Sequence, residues 1–208
     1  METDVSWRLR WWRFFGGVFL FVVAVVYNTV HSKTGYSEPV PYMTAGADSG
    51  VVVLRSALES LGIPVRDYDA LRAECGVHPD GVSVDDLEVV AQRRGLEARQ
   101  VMEPAAEAIG SDAHLPAIAV VDAPSGLDFW LLWRREGNRL LVMNPRSGNV
   151  WMNEAEVARA LHIHEMDVPA TPEALDSRVR VRRDGDVVHV RGAVIVTVRR
   201  PKALSRPR

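Results

Sequence analysis

The chain holds one cysteine among its 208 residues. That excludes an intramolecular disulfide framework and any cysteine-rich zinc site. It has no glycine-rich phosphate loop, no zinc-finger spacing and no RNP-like aromatic pattern, so nucleotide and sequence-specific nucleic-acid recognition lack their usual scaffolds. Long charge-free apolar runs are also scarce, the only extended one being Phe14 to Tyr27. Apolar content of 47% and charged content of 25% are those of an ordinary folded protein of one domain plus extra segments.

The net charge of −2 hides a division. Residues 1–36 carry Arg8, Arg10, Arg13 and Lys33 against Glu2 and Asp4; residues 37–176 carry 11 basic and 23 acidic side chains; residues 177–208 carry ten basic side chains against Asp184 and Asp186. Such asymmetry points to separate surfaces with separate partners.

Extending the amino-terminal run to Trp11–Val30 gives 20 residues, about 30 Å of helix, with Arg13 snorkelling to the interface. Trp7, Trp11, Trp12 and Tyr27 fall where aromatic belts form, and the arginines that precede the run place the amino terminus in the cytoplasm. Residues 1–32 are therefore read as a cytoplasmic tip and single-pass anchor. The remainder is placed in a periplasmic or extracellular space of a bacterial inner membrane. A cleaved signal peptide ending near Val30-His31-Ser32 and a buried core helix are the rival readings. Residues 33–41 read as a linker.

From residue 42 the pattern is that of a folded domain. Val51, Val52, Leu54, Leu58 and Leu61 make a helical apolar stripe, capped by Asp48 or Ser49 and ended by Gly62. A short helix follows within Pro64–Cys75, whose cysteine reads as the end of a surface helix. Ser83-Val-Asp-Asp86 opens a third helix, Val84–Arg94, stopped by Gly95. The period then changes. Strands are expected over Glu97–Met102, Pro116–Val121, Asp128–Arg134 and Leu140–Met143, with short helices over Pro104–Ile109 and Asn153–Leu161. Helices followed by an antiparallel sheet is an α+β order.

Four segments recur in an informative order: Met43-Thr-Ala-Gly-Ala-Asp-Ser49-Gly50; Pro79-Asp-Gly-Val-Ser83; Asp128-Phe-Trp-Leu-Leu-Trp133; and Val142-Met-Asn144-Pro145 with Gly148. Together they resemble the papain-like bacteriocin-processing peptidase domain, the C39 family, over residues 38–163. That family runs Gln-x5-Cys-Gly at a helix start, a Gly-x-Ser helix, a His-Phe strand and an Asp-Pro-x-x-Gly turn. The resemblance puts the oxyanion glutamine on Met43, the nucleophilic cysteine on Ser49, the general-base histidine on Asp128 and the orienting aspartate on Asn144. The papain-like fold is implied, and its chemistry is missing at each position.

The residues argue the same way without the family. A free hydroxyl is barely nucleophilic near neutral pH and needs an adjacent base that is itself oriented. Asp128, with a reference pKa near ~4, is a poor one. Met43 has no side-chain N–H for an oxyanion, and losing one such donor costs ~10²–10³ in rate. A serine hydrolase would need His78 or His114 beside Ser49. The expectation is a catalytically inactive, membrane-anchored domain that binds polypeptide or serves as an accessory subunit of a membrane complex, with no cofactor and no nucleic acid. By resemblance, its peptide groove lies beside Ser49 and Asp128. Trp130 and Trp133 point to opposite faces of one strand, one into the core and one free to floor a groove. Asp128 is also an ordinary solvated strand-edge position, and Asn144 before Pro145 a good turn residue. His162 and His164 would share a face only in a strand, and without a third ligand no metal site is expected.

Residues 167–177 read as a second linker. Arg178, Arg180 and Arg182 alternate with valines, Asp184-Gly185-Asp186 turns, and Val187–Arg191 returns, giving a basic hairpin within 178–208 that packs on this domain's own sheet or meets a partner. Gly192 is expected to break the run before Ala193–Val198.

Overall fold

In the computed structural model, the described residues are 37–42, 48–78 and 81–201. The anchor expected over residues 1–32, and Met43, lie outside them. Among the described residues no helix is long and apolar enough to cross a membrane.

The helices form where spacing and caps direct them. Helix α1, Ser49–Ser60, buries Val51, Val53, Leu54, Ala57 and Leu58, and ends at Gly62, whose φ of 78° suits a residue without Cβ. Its Asp48 occupies the N-cap position, but the carboxylate turns away to Arg72 at 2.9 Å instead of capping the helix. Helix α2, Tyr68–Glu74, is capped by Asp67, which accepts from the Ala70 N–H. Helix α3, Val84–Arg93, is capped by Ser83, which accepts from the Asp86 N–H, and buries Leu87, Val90 and Ala91.

The strands are β1 (Glu97–Glu103), β2 (Ala117–Ala123), β3 (Gly126–Glu136), β4 (Arg139–Asn144), β5 (Gly148–Asn153), β6 (Ile163–Pro169), β7 (Arg180–Asp184) and β8 (Val187–Arg199). Between them lie the short helices α4 (Ala105–Gly110), α5 (Glu154–Ala160) and α6 (Pro172–Asp176). Every pairing is antiparallel, in the order β1-β8-β2-β3-β4-β5, with β6 and β7 also on β8. Alternation divides most of the sheet's side chains between two cores, while Val179, Val188 and Val190 form a third, smaller cluster. Ile118, Val120, Phe129, Leu131, Trp133, Leu141, Met143, Val196 and Val198 pack with α1, α2 and α3. Ala117, Ala119, Val121, Leu132, Leu140, Val142, Ala193 and Ile195 pack with α4 and α5 on the other face.

Three sequence expectations need correction. Residues 37–42 are not a free linker: Ser56 Oγ donates to Val40 O at 2.8 Å, Asn149 Nδ2 to Pro39 O at 2.7 Å, and Arg134 pairs with Glu38 at 2.9 Å. Residues 167–177 are not a linker either, since they complete β6 and form α6. The third correction is the largest. The β7–β8 hairpin forms, but Gly192 does not break it; β8 runs through for 13 residues and inserts between β1 and β2. A Cβ at Gly192 would sit 2.8 Å from Glu103 O and 2.8 Å from Val179 Cγ1, so this glycine marks close approach where β1 and β7 meet along one edge of β8. Residues 37–208 thus make one unit, with the carboxy-terminal segment in its sheet.

Candidate functional site

Ser49 is the first residue of α1 and only 6% exposed. Its hydroxyl makes no hydrogen bond among the described residues. Its neighbour Gly50 is wedged against the sheet: a Cβ there would lie 2.3 Å from Val82 Cγ1 and 3.1 Å from Phe129 Cδ2. Phe129 and Val82 are therefore what the sheet and the loop before α3 present to the amino end of α1.

Asp128 is placed differently. The β2–β3 register runs unbroken from Ala117↔Leu132 to Ala123↔Gly126, so alternation puts Asp128 on the face of Trp130 and Leu132, opposite to Phe129 and Leu131. Instead of a solvated edge residue it is a buried acid, 2% exposed. One carboxylate oxygen accepts the Phe129 N–H at 2.9 Å and the other accepts Arg146 Nε at 2.7 Å. Arg146 is held in turn, its NH2 donating to Ser125 Oγ at 2.6 Å and its backbone N–H to Asn144 Oδ1 at 2.8 Å. Asp128, Asn144, Arg146 and Ser125 thus form one clamp that ties the start of β3 to the β4–β5 turn. Arg146 was missed by sequence reasoning. Its signal was its place two residues after Asn144, in the turn the resemblance had already marked.

Among the described residues no imidazole hydrogen-bonds to Ser49 or Asp128. His114 lies 3.8 Å from Glu103, in an open pocket of about 400 Å³ that Glu107 and Arg178 also line. His78 is exposed beside Gly81. His162 pairs through Nδ1 with Asp122 at 2.8 Å and stacks edge-on against His164, their centroids 4.6 Å apart. Burial and then the neighbouring His162 push the His164 pKa below its ordinary value. Cys75 ends α2 as expected, but its side chain is in the core, where burial pushes its pKa up to about 12 and keeps it a thiol. Among the described residues no group of three or more His, Cys, Asp or Glu side chains is arranged to hold a metal ion.

The other singled-out residues separate. Trp133 is in the core against α1 and Trp130 half-buried on the opposite face, the two faces the alternation predicted. Arg178 pairs with Glu107, across from α1, while Arg180 and Arg182 lie on β7, whose five residues are all exposed. The structure does not bring the arginines and Ser49 to one surface, and neither Ser49 nor Asp128 offers side-chain surface of its own.

The comparisons with known proteins match this architecture. No curated protein matches the chain. The double-glycine-motif protease of an AMS/PCAT transporter, solved with its leader peptide, is similar at 16% identity with a TM-score of 0.52, covering 76% of this chain and 94% of that one. The peptidase domain of Streptococcus ComA, a bifunctional ABC transporter of a quorum-sensing pathway, is similar at 11% identity with a TM-score of 0.56, covering 79% and 100%. These likenesses establish the fold. The family model described as Peptidase C39 family matches residues 37–161, more than half of the sequence, and the chain belongs to that family.

Proposed function

We propose that this protein is a non-catalytic C39 domain that binds polypeptide, held at a bacterial inner membrane by residues 1–32 as an accessory subunit of a membrane complex. The observation that carries the reading is the fate of the base position. Asp128 is buried and hydrogen-bonded to Arg146 and its own strand, on the sheet face away from α1. A carboxylate so engaged cannot take a proton from Ser49, and an unactivated serine hydroxyl does not attack an amide. What this leaves of the family's repertoire is recognition: a similar protein was solved with a leader peptide bound.

The test is direct. The intact protein is incubated with a panel of double-glycine leader peptides, and both binding and cleavage are followed, by fluorescence anisotropy and mass spectrometry. The expected result is saturable binding with no cleavage product. Cleavage that is lost in Ser49→Ala would overturn the inactive reading, and absence of binding to every peptide would remove the recognition role. For the anchor, protease treatment of sealed spheroplasts should digest residues 37–208 from outside; full protection would reverse the orientation.

A further inference from the structure

The sheet has four edge strands with different treatments: β6, paired only with β8, carries Glu165 and Asp167 and ends in Pro169. At β1 the outward groups are closed by α3: Gln92 Nε2 donates to Ala98 O at 2.9 Å, and the Gln100 N–H donates to Glu88 Oε2 at 3.3 Å. β7 carries Arg180, Arg182 and Arg183 and a register shift between Arg180 and Arg182, the charges and irregularity by which natural edges repel a further strand. β5 has neither device. Gly148-Asn-Val-Trp-Met-Asn153 carries no charged residue and pairs in unbroken register with β4.

The direction of its backbone groups follows from two contacts. The Asn153 N–H donates to Glu156 and not to β4, and Trp151 O accepts from Arg139 NH2 at 3.5 Å. Asn149, Trp151 and Asn153 therefore turn their N–H and C=O groups outward, and the N–H groups of Asn149 and Trp151 are without a partner among the described residues. Val150 beside them is 37% exposed. Along this edge the Trp151 ring lies under two guanidinium groups, Arg134 at 5.1 Å and Arg139 at 5.8 Å. Arg134 is already paired with Glu38 and Glu136, whereas Arg139 is exposed and has no carboxylate partner among the described residues.

We infer that the β5 edge is where a partner polypeptide docks, as an added extended strand whose acidic side chain meets Arg139. This rests on the polypeptide-binding reading above and names its surface. Strand addition takes its affinity from main-chain hydrogen bonds and its selectivity from flanking side chains, and β5 supplies free outward amides, an aromatic platform and one unneutralised cation. A second copy of this chain fits less well. Its own β5 has no acidic residue to offer Arg139.

The experiment uses the full chain and a fluorescein-labelled decapeptide of alternating valine and glutamate. Three controls accompany it: the same peptide N-methylated at alternate residues, its lysine counterpart, and the variant Arg139→Glu. The proposal expects the glutamate peptide to bind, and to slow amide exchange at Asn149 and Trp151 as read by NMR. N-methylation on the strand's bonding edge should weaken binding ~10-fold or more, and Arg139→Glu should weaken it ~10-fold while favouring the lysine peptide. Binding that N-methylation leaves unchanged, or protection away from residues 149–151, overturns the β5 site but leaves polypeptide recognition standing. Failure of every peptide here and in the leader panel overturns both. Protection of Asn149 and Trp151 that grows with protein concentration and without peptide would show two copies pairing, which also overturns the proposal.

Discussion

The clamp at Asp128 makes a quantitative prediction. Asp128→Asn keeps the shape and an acceptor for the Phe129 N–H but removes the charge that faces Arg146 Nε at 2.7 Å. A hydrogen bond to a charged partner contributes about 1.5–3 kcal/mol. The acid is 2% exposed, but the arginine side chain is 39% exposed, and solvent screening moves the expectation to the low end, about 1.5 kcal/mol. For a unit of this size each kcal/mol lowers Tm by roughly 2–4 °C, so a fall of about 3–6 °C is expected. Arg146→Ala should cost slightly more, because it leaves the buried carboxylate with one partner and also frees Ser125. Urea unfolding of the two single variants and the double variant closes a cycle with a coupling energy of about 1–2 kcal/mol. A coupling near zero would show that the two groups act independently, and the argument that Asp128 has been committed to holding the β4–β5 turn would fail.

Other outcomes follow from the same structure. Gly50→Ala places a methyl 2.3 Å from Val82 Cγ1, and although alanine favours helix, overpacking should leave a net loss of about 1–2 kcal/mol in chemical denaturation, largely recovered by adding Val82→Ala. His164 titrates with a folded pKa below its ordinary 6.5, through burial first and His162 second. The unfolded chain then binds the proton more readily, so this contribution is intact above about pH 6.5 and is lost as pH falls from there through the lower folded value. Urea midpoints followed from pH 8 to pH 5 should decline, and less steeply in His164→Gln. The Cys75 thiol, buried and pushed up to about 12, should resist iodoacetamide in the native protein and react only on unfolding; rapid native labelling would contradict its place in the core.

The sequence spoke most clearly where a local rule decides structure. The stripe Val51 to Leu61 with Gly62 behind it, the cap at Ser83, and the alternating runs that became β2, β3 and β4 all carry their instructions within a few residues. β5 and β6 were not seen, because Gly148–Asn153 and Ile163–Pro169 mix polar and apolar residues and become strands only through their partners, β4 and β8. Gly192 was misread for a related reason. A glycine inside a strand weakens it locally, and only the backbone of Glu103 and the side chains of Met102 and Val179 explain why nothing larger fits. At the site, the places of Ser49 at a helix start and of Asn144 beside the β4–β5 turn were legible, but the face on which Asp128 lies was not. That face is set by the register of β3 against β2, and one residue of slip would have reversed it.

Of the described strands, the one between β1 and β2 is made last. β8 spans Val187–Arg199, whereas its neighbours end at Glu103 and Ala123, so during synthesis those two strands wait with their facing edges bare for more than sixty residues. Until residues 187–199 have left the ribosome, β1 has no strand partner and β2 has only β3. The sheet is therefore expected to close only once residues 187–199 have been made, leaving β1 and β2 loosely held until then. For the same reason a deletion that trims residues 187–199 would not shorten the protein by an appendage but would remove the middle of its sheet.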